Sequence, residues 1–161
     1  MGAHINRHIG PAHVLVKKVD GGGVNRFVEN MREHIGFRWV KRQRKDDGFK
    51  RISEIIDRGE IVGFVIDQLR PGEPRLPFIG VSAKTNTSLA AIWQRKPAPI
   101  IPAYIHRKRC GHHVFQVMPK FNLPVTDDPK QDIINHSILF NKEVEKAVRQ
   151  YPYHYFWMHN R

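Results

Sequence analysis

Two polar residues, Asp67 and Gln68, stand where chemistry is most expected in this chain. They follow the apolar run Ile61–Ile66, which is too continuous for a half-exposed strand and predicts a strand covered on both faces, as in a parallel sheet. Ligands of open α/β sheets bind outside the carboxyl ends of the strands. Asp67 and Gln68 are therefore candidate site residues, although a loop carboxylate that caps the next turn is an equally simple interpretation of Asp67.

The segment after this pair is predicted to be a stiff loop that returns to an apolar surface. It contains four residues that restrict or bend the backbone: Pro71, Gly72, Pro74 and Pro77. Phe78 to Gly80 then bring an aromatic side chain back toward the interior. A loop in solvent would not need that phenylalanine.

Metal and nucleotide chemistry have little support in the sequence. Cys110-Gly111-His112-His113 contains thiol and imidazole ligands, but their spacing leaves too few separated donors, and a polar hairpin turn is the favoured interpretation. Neither G-x-G-x-x-G nor G-x-x-x-x-G-K-[ST] occurs. We expect neither a metal nor a cofactor.

Charge indicates the class of partner. The 161 residues carry a formal net charge of +12, so the partner surface is expected to be anionic, either nucleic acid or an acidic membrane face. Basic residues cluster at 38–45 and again at Arg107, Lys108 and Arg109. Most aromatic residues lie in apolar periodic segments and are not interleaved with these charges, which favours an anionic lipid leaflet over nucleic acid. We find no apolar run of about eighteen residues, and the single cysteine cannot form an intrachain disulfide.

The order of predicted elements in the first half is typical of a parallel sheet. Strands are predicted at His13–Val19, Phe37–Arg42 and Ile61–Ile66, with amphipathic helices between them that end near Gly36 and Gly59. A β-α-β-α-β order places helices on the faces of a parallel sheet. The predicted fold class is α/β, with a mostly parallel or mixed sheet flanked by helices, in one domain over residues 1–161.

The second half is predicted to continue with alternating elements. A helix is expected over Thr85–Arg95, capped by Thr85 or Asn86, and a buried strand over Ala98–Tyr104. Arg107–Arg109 is predicted as a turn and His113–Met118 as a strand. The longest helix is expected over Asp132–Gln150, followed by a compact aromatic tail whose Tyr155, Phe156 and Trp157 pack in the core.

Several of these pieces together resemble a known family. They are Asp67-Gln68, the FIG of Phe78–Gly80, Ala83 and Thr85 before a helix, the strand PAPIIPAYIHR and the ending YPYHYFWMHNR. In this order and spacing, the set resembles the bacterial lipid A biosynthesis acyltransferases, the lauroyl and myristoyl transferases of the lysophospholipid acyltransferase superfamily. The likeness extends upstream through His13 and covers nearly the whole chain.

The resemblance implies a peripheral enzyme at the cytoplasmic face of the bacterial inner membrane. Such an enzyme moves a fatty acyl group from acyl carrier protein to a hydroxyl of a membrane glycolipid. The family uses a histidine as general base, an acidic residue five or six positions later, and basic residues that hold phosphate or oxyanion charge. The reaction needs both functions, since a neutral alcohol attacks a thioester poorly unless its proton is removed and the oxyanion is stabilised.

The sequence departs from this family pattern at the catalytic pair. None of the ten histidines is followed by Asp or Glu five or six positions later. The chain is therefore expected to correspond to the C-terminal part of a family member, as a fragment, a mis-assigned start or a degenerate homologue, and no catalytic residue is identified. Asp67 and Gln68 match the family directly as supporting residues.

By the same resemblance, Lys17, Lys18 and Arg32 are candidate phosphate-binding residues. Lys17 and Lys18 replace a family arginine and lose its bidentate fork, and a solvated helix face is the simpler interpretation of Arg32. The expected function is acyl transfer in glycolipid biosynthesis, with the isolated chain inactive. Two alternatives stay open: a non-catalytic homologue that binds anionic lipid, and a nucleic-acid-binding module.

Overall fold

The computed structural model of the chain describes residues 2–16, 22–34, 38–41, 45–67 and 72–158. The chain forms two compact units, Met1–Phe64 and Val65–Arg161, which are described separately below. The prediction of a single domain stays a prediction. The predicted α/β class is confirmed, because helices and small sheets of both kinds are present.

The first unit is a β-α-β-α-β arrangement preceded by a short helix. Its elements, in chain order, are α1 (Gly2–His8), β1 (Ala12–Val16), α2 (Gly22–His34), β2 (Arg38–Lys41), α3 (Lys45–Asp57) and β3 (Ile61–Gly63). The three strands pair in the order β2-β1-β3, and both pairings are parallel. The parallel sheet predicted from the change of hydrophobic period is confirmed.

Helix α3 shows how the sequence determines this arrangement. Ile52 and Ile55, three positions apart, are 2% and 3% exposed and form the buried face of the helix. The helix ends at Asp57, and Gly59 two residues later has a φ of 70°, in the left-handed region. The Gly59 amide donates to the carbonyl of Ile56, and the Glu60 amide donates to that of Ile55. This paired pattern closes the helix and directs the chain into β3.

The prediction of a doubly covered strand over Ile61–Ile66 is wrong in length and burial. Strand β3 ends at Gly63 and pairs only with β1 in the described sheet. Ile61 is 38% exposed, and Val65, beyond the strand, is 53% exposed. A strand with a partner on one side keeps an open edge, so a continuous apolar run did not mean burial on both faces.

The second unit contains two antiparallel hairpins and two helices. Its elements are β4 (Arg75–Phe78), β5 (Val81–Lys84), α4 (Ser88–Arg95), β6 (Ala103–Arg109), β7 (His112–Val117), α5 (Pro129–Gln150) and a short 3₁₀ turn (Pro152–His154). Strand β4 pairs with β5, and β6 pairs with β7. The core of the unit contains Phe78, Ala83 and Val148, with Tyr155 packed against them.

The first hairpin replaces the last part of the predicted proline loop, because β4 begins at Arg75. Ile79 and Gly80 both have positive φ, 49° and 77°, and they connect the paired residues Phe78 and Val81. A two-residue loop with this geometry matches the right-handed twist of the strands. Pro77 is accommodated in β4 because its backbone groups face away from β5, so its missing amide removes no hydrogen bond of the ladder. Its carbonyl accepts a hydrogen bond from Asn141 on helix α5.

Three further predictions of the second half need correction. The strand predicted over Ala98–Tyr104 begins only at Ala103, and Arg107–Arg109 lies in β6, since the turn is made by Cys110-Gly111 with Gly111 at φ 71°. Phe156 and Trp157 are 61% and 58% exposed and do not belong to the core. Of the hairpin turn predicted over residues 110–113, the part at Cys110-Gly111 is confirmed, whereas His112 and His113 lie in β7.

Helix α5 begins earlier than predicted because of its cap. The Asp128 carboxylate accepts hydrogen bonds from the amides of Lys130 and Gln131, and Pro129 occupies the first helical turn. An acidic cap followed by proline is a strong helix start, since proline there removes only an amide that has no helical partner.

Candidate functional site

The carboxyl edge of the parallel sheet is where the sequence placed the site. Strands β1, β2 and β3 end at Val16, Lys41 and Gly63, so these ends share one edge. The sequence predicts that Asp67 lies directly at the end of the strand. In the structure β3 ends at Gly63, and Asp67 comes four residues later. It is half-buried, and its Oδ1 is buried with no hydrogen-bond partner among the described residues.

Most other predicted site residues lie beyond what the structure describes. Lys17, Lys18 and Gln68 fall outside the described residues. Arg32 lies in the last turn of α2, and its side chain is not described. The predicted phosphate-binding set therefore stays a prediction.

A histidine–carboxylate pair is present in the first unit, but its two residues are much farther apart in the chain than the five or six positions of the family pattern. Nε2 of His13 lies 2.6 Å from Oε2 of Glu60, which is 47 positions later in the chain, so this nitrogen donates to the carboxylate. Arg58 also donates to Glu60, at 3.2 and 3.3 Å. The hydrogen bonds from Arg58 and then from His13 hold the pKa of Glu60 below its ordinary value.

The position of this pair decides its role. His13 is the second residue of β1, and Glu60 directly precedes β3, so both lie at the amino ends of the parallel strands. Ligands of such sheets bind at the opposite edge. We interpret the pair as a structural link between neighbouring strands. Parallel pairing of the two segments was the only signal that could have predicted it.

A second histidine and carboxylate lie together on α5, again outside the pattern of the search. Asp132 precedes His136 by one helical turn, and both are buried, with 1% and 0% of their surface exposed. The Asp132 carboxylate accepts from the amide and hydroxyl of Thr126, at 2.9 and 2.8 Å. The amide hydrogen bond from Thr126 is the main reason that the pKa of Asp132 is lowered.

His136 fixes the same loop at a second point. Its Nε2 donates to the carbonyl of Pro124 at 2.7 Å, and Trp93 packs edge-on to its ring at 5.1 Å between centroids. Its Nδ1 is buried without a partner. Neither His136 nor Asp132 is accessible to a substrate, so this pair anchors the segment before α5 and cannot serve as a catalytic base.

An open cleft of about 450 Å³ lies beside Trp93. Its walls come from residues 97–100 and 120–123, which are joined by the hydrogen bond from the Phe121 amide to the carbonyl of Ile100. Among the described residues that line the cleft, Lys120 is the only titratable one. The cleft therefore offers apolar packing and one positive charge, without a group that could move a proton at neutral pH.

The described residues also bear on metal binding and on membrane crossing. Among them, no three His, Cys, Asp or Glu side chains are grouped closely enough to hold a metal ion. Within the same parts of the chain, no helix has the length and apolar character required to traverse a bilayer. Cys110 is exposed at the tip of the second hairpin.

The fold and charge define the class of protein: a basic α/β protein that begins with a parallel β-α-β-α-β unit. Its family follows from the sequence as a whole. The family model described as bacterial lipid A biosynthesis acyltransferase matches residues 7–161, and the chain belongs to that family. The resemblance noted in the sequence is thereby confirmed. A comparison with curated proteins finds no match.

Proposed function

We propose that this protein acts in acyl transfer from acyl carrier protein to a hydroxyl of a membrane glycolipid. The observation that carries the proposal is the family match over residues 7–161, which supports a lipid A acyltransferase type of function. The net charge of +12 fits an acidic carrier protein and a phosphorylated, membrane-embedded acceptor. On this proposal, the chain works at the cytoplasmic face of the inner membrane.

Acyl transfer needs a general base beside the acceptor hydroxyl and a positively charged or hydrogen-bond-donating group beside the oxyanion. Neither described histidine–carboxylate pair fits the first need, because His13 lies at the amino edge of the sheet and His136 is fully buried. We therefore propose that the isolated chain binds the glycolipid without transferring an acyl group to it. Asp67 is the described residue that we propose contacts the acceptor, since it matches the family pattern, its side chain is only half-buried, and its Oδ1 has no described partner.

Two assays on the same preparation test this proposal. The 161-residue chain is titrated with vesicles that contain a phosphorylated lipid A precursor, and it is separately incubated with that precursor and acyl carrier protein thioester. The proposal predicts saturable binding to the precursor and no transfer above background. Binding no tighter than to vesicles without the precursor would contradict the glycolipid assignment.

A non-catalytic homologue that binds anionic lipid is the second candidate function. It is favoured by the charge distribution, because residues 74–126 contain eight Lys and Arg residues and no Asp or Glu. The two functions differ in selectivity. A general anionic-lipid binder would bind phosphatidylglycerol vesicles as tightly as vesicles carrying the precursor at equal charge density.

A further inference from the structure

The tip of the second hairpin is a continuous exposed segment. All residues from Arg107 to Val114 are exposed, with the turn at Cys110-Gly111. The pairing register shifts between Arg107 and Arg109, which leaves Lys108 as an extra residue in β6. Such a bulge bends the strand and increases its twist at this point.

The two faces of this hairpin differ in what they contact. On one face, Tyr104 donates to Oε1 of Gln150 at 3.1 Å, and His106 stacks on Tyr151 with ring centroids 3.9 Å apart. This face packs against the end of α5. Paired residues of an antiparallel ladder share a face, and side chains alternate along each strand, so Ile105, Phe115 and Val117 lie on the opposite face.

That opposite face combines exposed apolar side chains with positive charge. Ile105 and Val117 are 45% and 54% exposed. Arg107, Lys108 and Arg109 follow at the tip, within a 53-residue stretch that has no acidic residue. Apolar side chains beside a basic cluster, without a carboxylate, match the surface of an anionic bilayer, where alkyl groups enter the interface and cations meet the headgroups.

We propose that this hairpin surface, made by Ile105, Arg107–Arg109 and Val117, docks the protein on an anionic lipid bilayer. The inference rests on the proposed function at a membrane and identifies which surface meets the lipid. Nucleic acid is the less fitting partner, since single-strand binders present aromatic side chains between their cations, and the exposed tip has none besides its imidazoles. Docking here leaves the face that packs on α5 unchanged.

Cys110 allows a direct test in the otherwise unmodified chain. It is the only cysteine, it is exposed, and it lies at the tip of the proposed surface. An environment-sensitive fluorophore attached to Cys110 should shift to shorter wavelength on addition of phosphatidylglycerol vesicles. Phosphatidylcholine vesicles should give no shift, and 1 M salt should reverse it, because the screening length falls to about 3 Å.

Charge variants of the unlabelled chain provide an independent measurement by vesicle sedimentation. Each basic residue near an anionic surface strengthens binding about fivefold at low salt, so R107Q/K108Q/R109Q should bind roughly 100-fold more weakly. The matched control is K130Q/K142Q/R149Q, which removes the same charge from exposed positions on α5. If binding depended only on net charge, the two triple variants would lose affinity equally, and the inference would be overturned.

The remaining outcomes separate this inference from the proposed function. Vesicle binding could be salt-sensitive while the fluorophore on Cys110 shows no shift and R107Q/K108Q/R109Q binds as tightly as the control variant. That result would place lipid binding on another surface and leave the proposed function intact. No binding to phosphatidylglycerol vesicles, with binding to the glycolipid precursor retained, would overturn the docking surface alone. If single-stranded nucleic acid shifts the label and competes with vesicles, the hairpin surface is a nucleic-acid site.

Discussion

The side chain of Asn141 should be one of the strongest single determinants of stability in the second unit. It lies on α5 and is 2% exposed. Its Nδ2 donates to the carbonyl of Pro77 at 3.0 Å and to Oγ1 of Thr85 at 2.8 Å. One amide therefore holds both ends of the first hairpin, β4 through Pro77 and the segment after β5 through Thr85.

The expected cost of Asn141→Ala follows from these contacts. Each hydrogen bond contributes about 1 kcal/mol net, and leaving the buried Thr85 hydroxyl without this donor adds a desolvation penalty, so we expect a loss of about 2–4 kcal/mol. Large losses from a polar substitution arise where it breaks a buried hydrogen-bond network, as it does here. The effect should be concentrated in residues 75–84.

The assay combines urea unfolding with hydrogen exchange measured on peptides that cover residues 75–84. The matched control is Asn135→Ala on the same helix, where an exposed amide oxygen accepts from Gln131 at 3.0 Å. This control should change stability by no more than about 0.5 kcal/mol. Equal effects of the two substitutions, or unchanged exchange of residues 75–84 in Asn141→Ala, would refute the assignment of the hairpin to the Asn141 amide.

Three further substitutions test other parts of the structure. Gly80→Ala should lower stability by about 1 kcal/mol in thermal unfolding because of the positive φ, and Gly80→Asn should restore most of it; equal melting temperatures would contradict the turn geometry. The pKa of Asp132 is lowered from 3.8 in the folded protein, chiefly by the hydrogen bond from the Thr126 amide. The ionised carboxylate therefore adds to the free energy of unfolding above pH 3.8, and this stabilisation is lost as pH falls through the folded pKa. The unfolding free energy should therefore fall on acidification below about pH 4, and Asp132→Asn should make this fall shallower; an unchanged pH profile would exclude Asp132 as its source. Asp67→Asn removes a negative charge from a carboxylate whose buried Oδ1 has no described partner, so stability should stay the same or rise. The same substitution should weaken binding to the glycolipid precursor. Wild-type binding by that variant would show that Asp67 does not contact the acceptor.

The parts of the fold that could be predicted depend on local patterns. The alternation of strand and helix periods gave the parallel unit, and Gly59 gave the end of α3. Apolar periodicity predicts the long helix, but periodicity begins only with the first apolar residues. The helix itself starts at Pro129, after the Asp128 cap, and not at Asp132.

The errors come from tertiary context that overrides local preference. Pro74 and Pro77 suggested a loop, but Pro77 fits a strand because the amide it lacks would face away from β5. Its carbonyl, which faces the same way, accepts a hydrogen bond from Asn141, 64 positions away. The charges of Arg107–Arg109 suggested a turn. These side chains are exposed, so they stay in water within strand β6, and Gly111, with its positive φ, makes the turn.

The candidate site was predictable only through the family pattern. A search for an acidic residue shortly after a histidine could not find His13 and Glu60, since strand pairing brings them together across 47 positions. It also missed Asp132, which precedes His136 on the same helix face. The burial of one pair and the location of the other at the amino edge could be known only from the structure.

The measurement that tests the central claim most directly is acyl transfer by the purified chain, with acyl carrier protein thioester and a lipid A precursor in anionic vesicles. The account predicts that the chain binds the precursor and transfers no acyl group above background. Transfer that is lost in His13→Asn or Glu60→Gln would contradict it, because it would make the pair at the amino edge of the sheet the catalytic base.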